Sequence, residues 1–169
     1  MCDADDMAHQ LMEPGAQAYG AVVEAFGREI LARDGHVDRR RLGERVFADG
    51  RDRERLNAII HPLVKQAWRD WLFRRPPERR AAAVIIPLLY EAGEGAGWDA
   101  VVCVCSSEAI QRARLAARGL DGQEARRRIT AQMPLAEKAE RADFVILNDG
   151  TTDVLREQTM RVLERILEK

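Results

Sequence analysis

Two aspartates at the start of the chain have the type and spacing to support proton transfer. Asp3 and Asp5 follow Met1 and Cys2. A carboxylate at hydrogen-bond distance from a hydroxyl can accept its proton and orient its oxygen for attack. On residue types alone, a solvated acidic terminus that also includes Asp6 is the simpler interpretation. The chemical interpretation therefore depends on the elements that follow.

The composition indicates a globular domain without an extreme of charge. The chain has 169 residues, of which 46% are hydrophobic and 33% are charged, and its net charge is −1. The length and hydrophobic content suit one domain with a buried core. The small net charge gives no overall electrostatic attraction to nucleic acid or to a membrane surface. No apolar run approaches the ~20 residues of a membrane span, and the start lacks the pattern of a secretory signal. We therefore expect a cytoplasmic protein.

The three cysteines, Cys2, Cys103 and Cys105, are an odd number. Cys103 and Cys105 alternate within an apolar run, so both would lie on one face of a strand, which is a poor geometry for a mutual disulfide. We expect three reduced thiols with packing or surface roles.

Three short apolar runs predict β-strands. They are Ala81 to Leu89, Val101 to Cys105 and Phe144 to Leu147. Each is continuous and rich in β-branched residues, which is typical of parallel strands buried on both faces of an α/β sheet. Helices are expected over 108–117, over 122–133 and along the last segment, where apolar residues from 154 to 166 keep helical spacing.

The segment before the first predicted strand is helical in pattern. It runs from about residue 16 to 71, without a convincing strand, and ends in Arg74, Arg75, Pro76 and Pro77. Breaks are expected at Asp34-Gly35, at Asp49-Gly50 and at His61-Pro62. The last of these would start a helix, because proline is tolerated at the first helical position. Such an insertion suggests a cap over the carboxyl edge of the sheet, where open α/β proteins place ligands.

Short motifs follow one another along the chain in a characteristic order. The first half carries Asp3-Ala4-Asp5, Glu13-Pro14-Gly15, Phe26-Gly27, Asp34-Gly35, Asp38-Arg39, Arg45-Val46-Phe47 and His61-Pro62. The second half carries Pro87-Leu88-Leu89-Tyr90-Glu91, Gln111, Arg114, Arg118, Gln132 and Ala142-Asp143 ahead of Asn148. Each motif alone is weak, but the ordered set covers nearly the whole chain and resembles the dephospho-CoA kinases.

The resemblance implies a three-layer, P-loop NTPase-like α/β fold with a parallel sheet, in one domain over residues 1–169. Within it we expect a helical CoA-binding subdomain over about 14–75 and a lid over about 106–141. The implied reaction transfers the γ-phosphate of ATP, with Mg²⁺, to the ribose 3′-hydroxyl of dephospho-CoA, the last step of coenzyme A synthesis. The partner would be this small-molecule substrate, with neither nucleic acid nor a membrane.

The resemblance also implies roles on the substrate side. Asp5 matches the catalytic carboxylate that would accept the hydroxyl proton. Asp3 would lie on the substrate side and support the metal or the local turn. Glu91, just past the first predicted strand, and His61 are expected to contact the substrate, and capping or packing stays the alternative for His61.

The segment 106–141 resembles the lid, with eight basic residues against five acidic ones. Lid arginines approach the triphosphate and stabilise charge on the transferred group. Arg114 and Arg118 are therefore expected to bind ATP, and Arg118 also to act in catalysis. Asn148 resembles the position near the adenine, where an amide can donate and accept. A turn residue ahead of Asp149-Gly150 is the equal alternative.

The phosphate-binding loop of that family has no counterpart in these residues. Gly-x-x-x-x-Gly-Lys-Ser/Thr occurs nowhere, and Gly93, Gly95 and Gly97 lack the lysine and hydroxyl that would follow. The resemblance then implies that the central first strand, its loop and the helix after it, about 30 residues together, are missing. Strand edges beside the runs at 81–89 and 101–105 would be left open to self-association.

Three interpretations follow. In the first, the given sequence is a dephospho-CoA kinase that starts late, so that this chain alone is inactive. In the second, it is a non-catalytic remnant that binds a CoA-like nucleotide or a partner. In the third, it is another P-loop nucleoside or nucleotide kinase, which the Asp-Ala-Asp and His-Pro motifs fit less well.

Overall fold

The structure, a computed structural model, describes residues 1–76, 78 and 80–168. Pro77, expected at the end of the helical segment, lies outside the described residues. The chain divides into two units, Met1–Pro87 and Leu88–Lys169. Each unit contains one two-stranded parallel sheet.

The first unit is mostly helical, as its sequence predicts. Its elements are β1 (Cys2–Asp3), α1 (Ala4–Leu11), α2 (Tyr19–Phe26), a 3-10 turn (Arg28–Ile30), α3 (Arg39–Ala48), α4 (Gly50–Phe73) and β2 (Val84–Ile85). β1 and β2 pair in parallel, with Cys2 opposite Val84 and Asp3 opposite Ile85. The sequence patterns did not predict β1.

The core of the first unit lies among α2, α3 and α4. Each helix contributes residues from one of its faces, as the four-residue spacing within α2 and within α3 shows. The buried residues are Ala18, Val22, Phe26, Ile30, Leu42, Val46 and Ile60. Arg45 of α3 connects this core to the neighbouring helices. It donates to the carbonyl oxygen of Phe26 at the end of α2 at 2.8 Å and to Asp52 Oδ2 in α4 at 2.8 Å. The helical region therefore has its own packed interior.

Two of the three expected helix breaks are confirmed. Asp34 accepts a hydrogen bond from the backbone of His36 in a turn where Gly35 has φ +86°. Asp49 caps α4 by accepting from the backbone N of Arg51 at 2.8 Å.

The expected break at His61-Pro62 is wrong. α4 continues through Pro62 without ending. A proline inside a helix costs about 3 kcal/mol, since it removes one hydrogen bond and crowds the preceding turn. The helix buries Ile60 and Trp68 on either side of Pro62 and packs against α1, α2 and α3. Burying side chains of this size contributes about 1.5–3 kcal/mol each, which offsets the local cost.

The second unit alternates strands with helices. Its elements are β3 (Val102–Cys105), α5 (Glu108–Ala117), α6 (Gly122–Thr130), α7 (Leu135–Arg141), β4 (Phe144–Leu147) and α8 (Thr152–Leu167). β3 and β4 are parallel, and Val102 lies opposite Phe144. The predicted strands at 101–105 and 144–147 and the helix at 108–117 are confirmed, while the helix predicted to reach 133 ends at Thr130.

The run from Ala81 to Leu89 forms much less strand than expected. Only Val84–Ile85 is extended and paired, and turns follow from Pro87. The pairing ends because β1 passes into α1 at Ala4, and because Pro87 has no N–H to continue a ladder.

Burial on both faces of the strands is also not found. Val104 of β3 is 57% exposed and Leu147 of β4 is 59% exposed. α7 packs against β3 and α8 packs against β4. Burial alternates along each strand, since Cys105 and Ile146 are buried while their neighbours Val104 and Leu147 are exposed. Because Val104 lies opposite Ile146 and Cys105 lies opposite Leu147, each face of the sheet carries one buried and one exposed residue of this set.

The outer edge of β4 is closed by one side chain of α8. Gln158 Nε2 donates to the carbonyl oxygen of Leu147 at 2.9 Å, and Gln158 Oε1 accepts from the backbone N of Leu147 at 3.0 Å. The side-chain amide thus replaces a neighbouring strand there. Among the helices that the structure describes, none has both the length and the apolar character needed to cross a membrane.

Candidate functional site

Asp3 and Asp5 lie together where β1 passes into α1. Asp3 Oδ1 accepts a hydrogen bond from the backbone N of Asp5 at 2.8 Å, so Asp3 is the N-cap of α1. Asp5 follows in the first helical turn and is exposed. This cap is the local-turn role that was one of the expectations for Asp3.

The surroundings of Asp5 raise the pKa of its carboxyl above the usual value, chiefly through partial burial. Partial loss of solvation raises the pKa of the Asp5 carboxyl, and the Asp3 carboxylate raises it further, while His9 opposes both. A carboxylate with a raised pKa is a stronger base than an ordinary aspartate at neutral pH. His9, one turn along α1, was missed by the sequence reasoning, although its i, i+4 spacing from Asp5 could have identified it.

Glu91 is held by two groups of the second unit. Its Oε1 accepts from Lys138 Nζ at 2.7 Å and from the backbone N of Met133 at 2.9 Å. Burial would raise the pKa of Glu91, but these two hydrogen bonds outweigh it and hold the pKa below its usual range. The ion pair links the turn after Pro87 to α7.

Arg114 and Asn148 are brought together at the carboxyl ends of β3 and β4. Arg114 Nη2 donates to the backbone O of Asn148 at 2.8 Å and to its Oδ1 at 3.2 Å. Arg114 Nη1 donates to Ser106 Oγ at 3.0 Å, and this hydroxyl donates to the backbone O of Asn148 at 3.2 Å. The two residues, 34 positions apart in sequence, therefore share one hydrogen-bonded cluster with Ser106.

Backbone contacts fix the same cluster to the strands. Asn148 N donates to the carbonyl oxygen of Cys105 at 2.7 Å, Ser107 N donates to Asp149 Oδ1 at 2.8 Å, and Gln111 Nε2 donates to the carbonyl oxygen of Ser106 at 2.7 Å. Because Asn148 Oδ1 accepts from Arg114, the side-chain amide presents its Nδ2 as a donor. Ser106 was missed, although it is the first polar residue after a predicted strand.

Arg118 differs from Arg114 although it follows one helical turn later. It is the C-cap of α5, it is exposed, and its guanidinium has no hydrogen bond or ion pair within the part of the chain that the structure describes. By contrast, Arg112 Nε donates to Glu108 Oε1 at 2.9 Å on the same helix. The Arg118 guanidinium is available to an anion.

His61 lies within α4, with an exposed side chain that makes no hydrogen bond or ion pair to any described residue. The structure thus groups the expected site residues as two pairs, one in each unit. Asp3 contacts Asp5 and Arg114 contacts Asn148, whereas His61, Glu91 and Arg118 contact none of the other candidates.

The described residues do not supply a complete magnesium site. Nowhere in 1–76, 78 and 80–168 are three His, Cys, Asp or Glu side chains grouped to hold a metal ion. Asp3 Oδ1 is engaged in capping α1. Magnesium bound beside a nucleotide usually keeps several waters and takes only one or two carboxylates together with the substrate phosphates.

Comparison with known proteins adds the family. The family model described as dephospho-CoA kinase matches residues 1–153. A dephospho-CoA kinase of Anaeromyxobacter dehalogenans (strain 2CP-C) is 45% identical over 163 residues, which are 95% of this chain and 77% of the relative. One of Geobacillus kaustophilus (strain HTA426) is 42% identical, over 96% of this chain and 82% of the relative.

Solved structures agree with the sequence relatives. A crystal structure of a Thermus thermophilus protein superposes with a TM-score of 0.78 at 30% identity, over 97% of this chain and 83% of the other. A dephospho-CoA kinase from Campylobacter jejuni superposes with a TM-score of 0.66 at 24% identity, over 99% and 84%. These likenesses confirm the expected P-loop NTPase-like α/β fold.

Proposed function

Because the chain belongs to the dephospho-CoA kinase family, we propose that its residues serve the phosphorylation of the ribose 3′-hydroxyl of dephospho-CoA by ATP. The observation that carries this proposal is the cluster of Arg114, Ser106 and Asn148 at the carboxyl ends of two parallel strands. Open α/β sheets bind their ligands at that end. The cluster is therefore the nucleotide side of the site.

On the nucleotide side, Asn148 contacts the base and the arginines contact the phosphates. Arg114 fixes the amide of Asn148 so that Nδ2 donates to a ring nitrogen of adenine. Arg118, without another partner among the described residues, supplies positive charge to the transferred group. Its exposed position suits a residue of the lid, which we place over about 106–141.

On the acceptor side, Asp5 takes the proton of the 3′-hydroxyl and orients the oxygen for in-line attack. Its raised pKa supports this role, and Asp3 holds the start of α1 by its cap. The helical residues over about 14–75, with the exposed His61, form the proposed substrate subdomain. Glu91, which is paired with Lys138, is the further carboxylate that we assign to the substrate.

The chain alone is expected to bind nucleotide without turnover. The Gly-x-x-x-x-Gly-Lys-Ser/Thr motif, whose backbone amides and lysine hold the β- and γ-phosphates, does not occur in the 169 residues. This favours, for the chain as given, a nucleotide-binding function as the second candidate.

Calorimetric titration and a coupled ADP assay test these statements together. We expect wild-type chain to bind ATP, Arg114→Ala to lose about tenfold in affinity, and Arg112→Ala to behave as wild type. A charge-assisted hydrogen bond contributes about 1.5–3 kcal/mol. Arg112 is the matched control because it is an arginine of the same helix, paired with Glu108.

Two outcomes would contradict the proposals separately. Equal ATP affinity of Arg114→Ala and wild type removes the nucleotide site from this cluster. Turnover of dephospho-CoA at about 1–100 per second, the range of kinases, overturns the expected inactivity. Binding of dephospho-CoA without turnover supports the acceptor side of the proposal.

A further inference from the structure

Two thiols lie side by side on β3, outside the cluster described above. Cys103 Sγ and Cys105 Sγ are 3.6 Å apart, both on one face of the strand because alternate residues share a face. Cys103 is partly exposed and Cys105 is 6% exposed. Both are free thiols, and the proposed function gives them no task.

The separation of the two sulfurs distinguishes between two kinds of chemistry. A disulfide requires about 2.05 Å between its sulfurs, so the pair would have to close by about 1.5 Å along one strand. A tetrahedral centre bound at about 2.3 Å to each of two thiolates separates them by about 3.8 Å. The observed 3.6 Å is therefore close to a chelating geometry and far from a disulfide.

The surroundings favour a centre that needs only two protein ligands. In the described part of the chain, no third His, Cys, Asp or Glu completes a metal-binding group with the two thiols. Lys138 lies near enough for its positive charge to favour a thiolate at Cys103, although burial and the contact with Cys105 outweigh it and raise the pKa of Cys103 to about 11. The nearby hydroxyl of Tyr90 is buried without a hydrogen-bond partner among the described residues, and its burial, followed by the charge of Cys103, raises its pKa.

We propose that Cys103 and Cys105 form a two-thiolate site for a thiophilic centre that can bridge two sulfurs about 3.6 Å apart, either pyramidal trivalent arsenic or a tetrahedral zinc-group cation completed by water. With an organic arsenic(III) oxide, two S–H bonds break and two As–S bonds form. The oxygen leaves as water with both protons, and arsenic remains trivalent. With Zn²⁺ or Cd²⁺, two protons are released as the two thiolates bind.

Phenylarsine oxide and the intact 169-residue chain provide the first test. We expect one adduct in the intact mass spectrum, resistant to 2-mercaptoethanol and reversed by dithiothreitol, because a chelate exchanges with a dithiol and not with a monothiol. Cys103→Ala and Cys105→Ala should each lose the resistant adduct. Cys2→Ala, which removes the only other cysteine, should keep it.

A second measurement uses the wild-type chain and so does not depend on the folding of variants. Alkylation after denaturation should modify three cysteines in the untreated protein and only Cys2 once the arsenical is bound, as located by peptide mapping. In the cation arm, Cd²⁺ should give ultraviolet sulfur-to-metal absorbance that Cys103→Ala abolishes. Should only Cd²⁺ bind, the centre is a cation; should only the arsenical bind, the site takes arsenic alone.

Several results would overturn the proposal. Absence of binding by both probes is one, and an arsenical adduct that 2-mercaptoethanol removes is another. Protection of Cys2, or a resistant adduct that persists in Cys103→Ala, would place the binding elsewhere. Ready formation of a disulfide between Cys103 and Cys105, with loss of two hydrogens in place of any adduct, would show that the 3.6 Å separation does not favour chelation.

Discussion

Replacing Glu91 by glutamine tests how much the ion pair with Lys138 stabilises the second unit. The two charged atoms are 2.7 Å apart, and the side chains are 23% and 11% exposed. Removing one partner of a fully buried pair costs about 3–5 kcal/mol, whereas an exposed pair contributes about 0–1 kcal/mol. At this partial burial we expect Glu91→Gln to lower the free energy of unfolding by about 2 kcal/mol at neutral pH. The glutamine oxygen can still accept the hydrogen bond from Met133 N.

The effect should depend on pH in a direction set by the lowered pKa of Glu91. The folded pKa lies below that of the unfolded chain, which is about 4.3 for glutamate. The ion pair therefore contributes fully above about pH 4.3, and its contribution is lost as pH falls through the folded pKa. The difference between wild type and Glu91→Gln should shrink in acid, because both chains then carry a neutral group at position 91.

Urea unfolding followed by circular dichroism, at pH 7 and in steps toward pH 3, measures this difference. Glu108→Gln is the matched control, because it breaks an exposed ion pair with Arg112 and should cost less than about 0.5 kcal/mol. Lys138→Met, alone and combined with Glu91→Gln, gives the coupling free energy of the pair. The reasoning is refuted when the two glutamine variants lose the same stability, or when the loss in Glu91→Gln does not change with pH.

Three further predictions concern single positions. Asp3→Ala should lower the free energy of unfolding by about 1 kcal/mol, whereas Asp3→Asn should keep the cap of α1. Asp3→Asn should also lower the pKa of Asp5, measured by carboxyl NMR, because the Asp3 charge raises that pKa. An unchanged Asp5 pKa would contradict this. Gly119→Ala should destabilise by about 1 kcal/mol because φ is +85°, whereas Gly122→Ala, in equally open space at the start of α6, should not; equal melting temperatures would contradict the strain argument. Gln158→Ala should speed hydrogen exchange at the outer-edge amide of β4 that it caps, without a similar increase in β3; equal increases would show general unfolding.

Elements whose signals are local could be predicted from the sequence. The strands at 102–105 and 144–147 are short, β-branched runs, and α5 has helical spacing between polar turns. The ends of these elements agree with the sequence patterns because they are determined by residues close in sequence. The breaks at Asp34-Gly35 and Asp49-Gly50 were predictable for the same reason.

Elements that depend on distant partners could not be predicted in this way. β1 is two residues long and exists because it pairs with β2, more than 80 positions away. Helix α4 continues through Pro62 because Ile60 and Trp68 are buried on a face that other helices supply. The burial expected on both faces of β3 and β4 failed for the same reason, since it depends on which helices reach each face.

In the candidate site, the sequence could not distinguish the contacts of two arginines. Arg114 and Arg118 have the same residue type and lie one helical turn apart, so the resemblance assigned both to ATP. The structure gives them different capacities. Arg114 is held by Ser106 and Asn148 and can orient an amide, whereas Arg118 has no partner among the described residues and is available to an anion. If that division holds, Arg114→Lys should weaken ATP binding, because lysine cannot reproduce the forked contacts. Arg118→Lys should leave ATP binding nearly unchanged, because a single positive charge can replace another at an exposed position.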